Sequence, residues 1–522
     1  MSRQWRDFWV PAVAVVLTAQ ETIALHCSDP PGTMRRALSL FGRRLGLRRT
    51  LIGTGVLAVL SVVAIMIVGS RDSVDYDVYI GAVKEHYNNV VTYVGEYIGA
   101  ATSSAGNSGE VYWEEPFYDE ETVSRLVETL NTPLFPESDV NKTSTQQCFK
   151  DNLKLYRDTL KEKIDEPQVA GLVRASSAAG GGSDNPVAAT ILSLVRNEDL
   201  EEMIASVMEV ERAFNSKFAY PYTFLNDAEF TQEFQDAIRA ALPAGRKVQF
   251  GTIAPEDWSV PESIDLERFK ASMQHLEDEG VAYATRESYH NMCRYFSRGF
   301  YHHPLLREYK YTWRLEPGVK FFCEVDYDVF RFMADQGKVY GYVLNLYDNL
   351  QSVESLWRDT REWLEDHTQY LSEGGAFDWV RENMQKPENF ATTGGYSTCH
   401  FWTNFEIASL DWLRSEPYEA YMDFLESMGG FYYERWGDAP VRSLALALFA
   451  DRSQIHWFRD IGYSHFPYIN CPNSDRCDKR CSPAEFVPWD NLEVENCQAT
   501  WIRYAMTQEE RDLYYKKEQE QE

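Results

Sequence analysis

Apolar positions along the chain fall into three patterns. The first is an unbroken run, Leu51 to Gly69, of nineteen residues without a charge. As a helix it is about 28 Å long, enough to span a bilayer. Six arginines precede it (35, 36, 43, 44, 48 and 49), while Arg71, Asp72, Asp75 and Asp77 follow it. That asymmetry places the N-terminus on the cytoplasmic side and the rest across the membrane. A shorter run, Trp9 to Ala19, cannot span, and residues 1–33 read as an extension ahead of a start at Met34. The second pattern is helical spacing over Tyr76–Tyr97 and Gln146–Glu166, separated by Ser/Gly-rich and acidic turns, as in a stem. Asn141-Lys142-Thr143 is a glycosylation sequon there. The stretch Ser176–Asn185 has the composition of a flexible linker.

The third pattern begins after the linker, where strands and helices alternate. Ala189–Val195 reads as a buried strand and Asn197 as the cap of a helix running to about Asn215. Tyr222–Leu225 reads as a second strand. This β-α-β unit predicts an open α/β sheet with its ligand beyond the strand ends. Arg196 stands at one such end. Tyr309–Leu315 is a third strand, followed by Glu316-Pro317, and Asp328 caps a helix Val329–Asp335. Trp412–Met428 predicts an amphipathic helix and Gln454–Phe458 a last strand. Between them, Gly429 to Pro440 (GGFYYERWGDAP) carries three glycines and four aromatics. It reads as a shaped, aromatic-walled loop, with Asp438 capping a helix that starts near Val441. A Glu434–Arg435 ion pair would hold it, and Tyr432, Tyr433 and Trp436 could stack on a ligand or pack in the core. The boundaries are thus 1–50 cytoplasmic, 51–69 anchor, 70–184 stem and linker, 185–500 α/β domain and 501–522 acidic tail.

Composition narrows the function. The net charge is −29 over 522 residues, although residues 1–50 are basic. So acidic a body repels phosphate backbones, which argues against nucleic acid as a partner. Walker-type, G-x-G-x-x-G and H-E-x-x-H motifs are absent. Of nine cysteines, four fall between 471 and 497. Their spacing matches no common zinc pattern, and a body across the membrane favours disulfides among them.

Five ordered blocks give a closer reading. They are Tyr289-His290-Asn291-Met292-Cys293-Arg294, Trp313-Arg314-Leu315-Glu316-Pro317, His400 to Ala408 (HFWTNFEIA), Gly429 to Pro440, and Gly462-Tyr463-Ser464-His465 with Cys471-Pro472. Across residues 187–500 the chain resembles the fungal Golgi α-1,2-mannosyltransferases of glycosyltransferase family 15. The resemblance implies a GT-A-type nucleotide-sugar-binding fold, a mixed open sheet flanked by helices. It implies retaining transfer of mannose from GDP-mannose, assisted by Mn²⁺, to mannosyl residues of O- and N-linked glycans on glycoproteins. It also implies a Golgi type II membrane protein, compatible with a Golgi glycosyltransferase complex.

The same resemblance assigns residues. Glu316 and His465 would contact the metal, and Gly318 offers no second carboxylate beside Glu316. Glu406 matches the family's candidate carboxylate for retention, and Asp438 matches an aspartate near the donor sugar or acceptor. Arg196 and Tyr289 match positions near the nucleotide. Each has a plainer reading as well: a surface arginine, a structural histidine, a buried carboxylate paired with an arginine. At the level of the whole protein, the alternatives are an inactive glycan-binding or scaffolding paralogue and a glycoside hydrolase with two carboxylates.

Overall fold

The computed structural model describes residues 118–164, 186–508 and 510–511. The run Leu51–Gly69, the helix expected over Tyr76–Tyr97, the linker Ser176–Asn185 and most of the acidic tail lie outside them. Among the described residues, no helix is long and apolar enough to cross a membrane.

Residues 118–164, within the expected stem, pack on the body. Helix α1 (Glu120–Asn131) starts at Asp119, whose carboxylate accepts the Thr122 N–H. Helix α2 (Lys142–Lys161) starts at Asn141 through a capping box with Ser144. Leu126, Leu130, Tyr156 and Leu160 are buried in the main core. Polar seams complete the attachment: the Asn152 amide donates to Gln385 at 2.6 Å, and the Ile164 N–H to the Asn473 carbonyl at 2.8 Å.

The sheet follows from the expected β-α-β opening. Strand β1 (Ala189–Leu194) leads through α3 (Leu200–Val210) to β2 (Tyr222–Asn226), which pairs parallel to β1. Residues 189–193 of β1 are all buried, the pattern of a parallel strand covered on both faces. Next come β3 (Val248–Thr252), β4 (Tyr311–Arg314), β5 (Lys320–Phe321), β6 (Tyr340–Tyr342), β7 (Asn345–Tyr347), β8 (Cys399–Phe401) and β9 (Ile407–Ser409). Helices α4 (Glu416–Met428) and α5 (Asp438–Phe449), then β10 (Ile455–Trp457), β11 (Tyr463–His465), β12 (Tyr468–Asn470) and α6 (Gln498–Tyr504), complete the body. The main sheet has seven strands in the order β10-β6-β9-β4-β1-β2-β3. It is mixed, because β9 runs antiparallel to both β4 and β6. From β1 the chain crosses to β2 on one side, and β4 lies on the other. That reversal puts the crevice at the C-terminal ends of β1 and β4.

Local expectations met different outcomes. Asp328 does cap its helix, accepting the N–H groups of Phe330 and Arg331. Asn197 caps nothing; its amide ties the β1 end to the backbone of Glu229 and Thr231. The Trp412–Met428 helix is broken into Leu410–Leu413 and α4. Gly429 to Pro440 is only partly a loop. Gly429 ends α4 in the left-handed conformation, at φ 72°. Gly430–Tyr433 is then one helical turn. A Cβ on Gly430 would lie 2.1 Å from the Trp436 ring, so glycine is required there. Helix α5 starts at Asp438 itself, with Gly437 as its cap, and the Asp438 side chain makes no capping bond. Almost every residue of α5 is buried, which accounts for its apolar composition all round.

Three disulfides fasten the C-terminal region: Cys323–Cys477, Cys399–Cys497 and Cys471–Cys481. One closes within the C-terminal cluster, and two reach back to the body. Cys399–Cys497 spans 98 residues, and the loop entropy it removes from the unfolded chain is worth about 4–5 kcal/mol. The double variant Cys399→Ser/Cys497→Ser is expected to lose that much in guanidinium unfolding. An unchanged midpoint would remove this account.

Candidate active site

Strand β4 delivers the central charge. Arg314, its last residue, is 5 % exposed. Its Nη1 donates to Asp438 Oδ2 at 2.7 Å, and its Nη2 donates to Glu316. Its guanidinium lies over the Phe296 ring, 3.7 Å from the centroid. Burial works against that charge, but the carboxylates of Glu316, Asp438 and Glu406 outweigh it and hold the guanidinium protonated.

A second sheet brings in the histidine. Strand β11 pairs antiparallel with β5, setting Tyr463 against Phe321 and Ser464 against Lys320. The next residue, His465, is thereby carried to the turn that follows β4. Its Nε2 lies 3.4 Å from Glu316 Oε2. Its Nδ1 is buried and has no hydrogen-bond partner. Trp402 packs edge-on to the imidazole at 5.4 Å.

Asp438, in the first turn of α5, completes the group. Its Oδ2 also accepts the Thr403 hydroxyl at 2.8 Å. Arg314 and Thr403 thus take the carboxylate that the sequence assigns to a helix cap. Glu316, Asp438, His465, Arg314 and Thr403 line one cavity of about 740 Å³, together with Tyr289, Asp348, His400 and Arg435. Tyr289 stacks on Tyr283 at 4.8 Å, and burial pushes its hydroxyl pKa well up. Burial pushes the His400 imidazole down, toward the neutral form. The volume suits a nucleotide-sized ligand.

Two predicted site residues stand apart from that cavity. Glu406 is 1 % exposed and does not line it. It sits just before β9, its carbonyl accepting the Arg314 N–H at 2.9 Å. Its Oε2 lies 3.9 Å from Nε of the fully buried Arg442 and makes no hydrogen bond. Burial pushes its carboxyl up, while Arg442 and Arg314 pull it back. Arg196 follows β1 on the same sheet edge, but its side chain is 68 % exposed and bound to Asp199 at 2.8 Å.

The expected loop contacts are also redistributed. Glu434 and Arg435 do not pair with each other. Glu434 accepts the Ser355 N–H and the Trp436 indole N–H, at 3.1 and 2.7 Å, and so serves as scaffolding. Arg435 turns to Asp348, 3.7 Å away, in the cavity wall. Tyr432 and Trp436 are buried in the core rather than facing a sugar, and Tyr433 packs under Arg268. Arg314, Thr403 and Arg442 were not singled out from the sequence. A charge ending an aromatic strand (YTWR) and an arginine within the apolar run VRSLALALF are the signals that could have found the two arginines, and Thr403 carries none.

An open mixed α/β sheet, with a charged cavity at the end of its strand β4, has the architecture of a nucleotide-sugar glycosyltransferase. The family profile described as glycolipid 2-alpha-mannosyltransferase matches residues 146–506, and the chain belongs to that family, glycosyltransferase family 15. The probable mannosyltransferase KTR4 of Saccharomyces cerevisiae is 51 % identical over 440 residues, covering 84 % of this chain and 92 % of that one. The solved structure of Ktr4p from S. cerevisiae in complex with GDP is 54 % identical with a TM-score of 0.73, covering 76 % of this chain and all of that one. Core-mannan synthase A of Aspergillus fumigatus, solved in a Mn/GDP form, is 43 % identical with a TM-score of 0.62, covering 66 % and 93 %.

Proposed function

We propose that this glycosyltransferase moves mannose from GDP-mannose to mannosyl residues of protein-linked O- and N-glycans, with retention of the α configuration and on a GT-A-type fold. The observation that carries the reading is the Glu316–His465 pair facing the same cavity as Asp438, in a chain 54 % identical to a GDP-bound mannosyltransferase.

The residues fit a divalent metal in part. An imidazole and a carboxylate 3.4 Å apart are a donor set that Mn²⁺ accepts, and His465 keeps a second ring nitrogen unpartnered. Among the described residues no third His, Cys, Asp or Glu joins them. Glu316 and His465 would hold the ion, and its further ligands would come from outside these side chains. When bound, the ion neutralises the charge that develops on the leaving diphosphate. Arg314 fixes Glu316 and Asp438 with one guanidinium fork. Asp438 faces the sugar, and Glu406, off the cavity wall behind Arg314 and Asp438, is the second carboxylate and acts on the site through Arg314. Tyr289 is assigned to the donor. Arg196 reaches a nucleotide phosphate by leaving Asp199, an exposed pair that costs little to break.

We also assign Leu51–Gly69 to a single-pass anchor and the body to the Golgi lumen. Three disulfides in the body support an oxidising compartment.

The test is transfer by the purified protein from GDP-mannose to α-methylmannoside in the presence of Mn²⁺. EDTA is expected to abolish it and Mn²⁺ to restore it. His465→Ala should raise the Mn²⁺ concentration needed for half-maximal rate by about 10- to 100-fold. Absence of product from folded protein would defeat the reading. Full activity in EDTA would defeat the metal role alone.

A further inference from the structure

The cavity has a second rim that the proposed chemistry leaves unused. It starts at His465 and runs outward through Trp402 and Tyr468, whose rings meet edge to face at 5.0 Å. The Tyr468 hydroxyl donates to Glu495. Phe466, next to His465, is 72 % exposed, and Trp489 is 48 % exposed. Their rings meet at 5.5 Å, nearly perpendicular. Among the described residues five large apolar side chains are at least 48 % exposed, and two of them, Phe466 on the cavity wall and Trp489 packed on it, form one open patch that calls for an occupant.

Lys386 lies in the same wall. Its ammonium is 5.7 Å from the Tyr347 ring centroid and makes no hydrogen bond to a described residue. Burial pushes its pKa down, and the nearby Glu495 counters this. The rim therefore offers an apolar platform, a donor without a partner and a carboxylate beside it. An exposed aromatic ring face flanked by a donor and an acceptor complements a pyranose, which has an apolar C–H face edged by hydroxyls.

We propose that this rim is an acceptor subsite for the second sugar of a mannosyl chain. The C–H face of that sugar lies on the Phe466 ring, the perpendicular Trp489 ring bounds its edge, and Lys386 and Glu495 hydrogen-bond its hydroxyls. The inference rests on the mannosyltransferase reading and extends it from a terminal mannose to the residue behind it. Arg196 and Tyr289, the residues assigned to the nucleotide, are not part of this rim, which gives the guanine ring a place elsewhere, and donor kinetics separate the two.

The test compares α-methylmannoside with an α-linked mannobioside in the full enzyme. Wild type is expected to show the lower KM for the disaccharide. Phe466→Ala and Trp489→Ala should each raise the mannobioside KM about five- to tenfold. The KM values for α-methylmannoside and GDP-mannose should stay within about twofold, which also shows that the variants fold. Phe466→Tyr should behave as wild type. Equal losses for both acceptors, or no loss for either, would overturn the subsite. A raised KM for GDP-mannose would assign the rim to the nucleotide and overturn it as well. A wild-type enzyme that transfers to neither acceptor would instead defeat the mannosyltransferase reading on which the subsite depends.

Discussion

Arg314→Met is expected to destabilise the protein by about 3–5 kcal/mol and to remove transfer at the same time. The guanidinium is the hub of the site. It bonds Asp438 on one side and Glu316 on the other, and it rests on the Phe296 ring. Asp438 is buried, with Arg314 and Thr403 its side-chain partners. Methionine fills a similar volume but leaves Asp438 without its hydrogen-bonded counter-charge and Glu316 without its anchor. Burying a carboxylate unpaired is what makes the loss large, more than the pair itself was worth. Arg314→Lys should recover part of the stability but little activity, because a point charge cannot hold two carboxylates with one planar fork. Urea unfolding and kcat measured on both variants check this. A methionine variant that unfolds and turns over like wild type would show that Arg314 is not the hub.

Glu406→Gln should lower kcat by about 10²–10³-fold while GDP affinity stays near normal. The carboxylate is buried behind Arg314 and Asp438, and one of its oxygens has no hydrogen-bond partner. A buried unsatisfied oxygen is costly to keep, and catalytic sites are where such costs persist. The amide keeps the shape and removes the charge. It also deprives Arg442 of a counter-charge 3.9 Å away, so some loss of stability accompanies the kinetic effect. The decisive quantity is therefore kcat per folded molecule, measured beside GDP binding by calorimetry. If melting falls but kcat per folded molecule does not, Glu406 is the structural partner of Arg442 and no more.

Much of the fold was legible because its signals are local. The run ATILSL can be satisfied only by burial on both faces, and β1 is buried along nearly its whole length. Asp328 caps because an aspartate two and three residues ahead of free helix N–H groups needs nothing distant. Strands β3 and β6 were missed for opposite reasons. Val248–Thr252 sits at the sheet edge with its residues half-open, so its pattern is weak. Tyr340–Tyr342 is too short to carry a period, and its pairing with β9 and β10 makes it a strand. The same competition explains Asp438. A local rule made it a cap, but Arg314 and Thr403 offered its carboxylate stronger, buried partners.

The sequence by itself determined the family, through five ordered blocks, and the local elements that carry them. It also held four of the six proposed site residues that the cavity gathers: Tyr289, Glu316, Asp438 and His465. Only the tertiary structure decided how they meet. Glu316 and His465 become neighbours through the register of β5 against β11. Glu406 and Arg196 stay off the cavity wall because one is drawn under the sheet edge to Arg442 and the other is held outside by Asp199. Tyr432 and Trp436 prove to be core, and Phe466 and Trp489 prove to be open. The reason is physical. Periodicity, caps and turns are settled by residues a few positions apart. The partner of a charge or a ring is settled by which distant strand lies beside it, and sheet register alone specifies that.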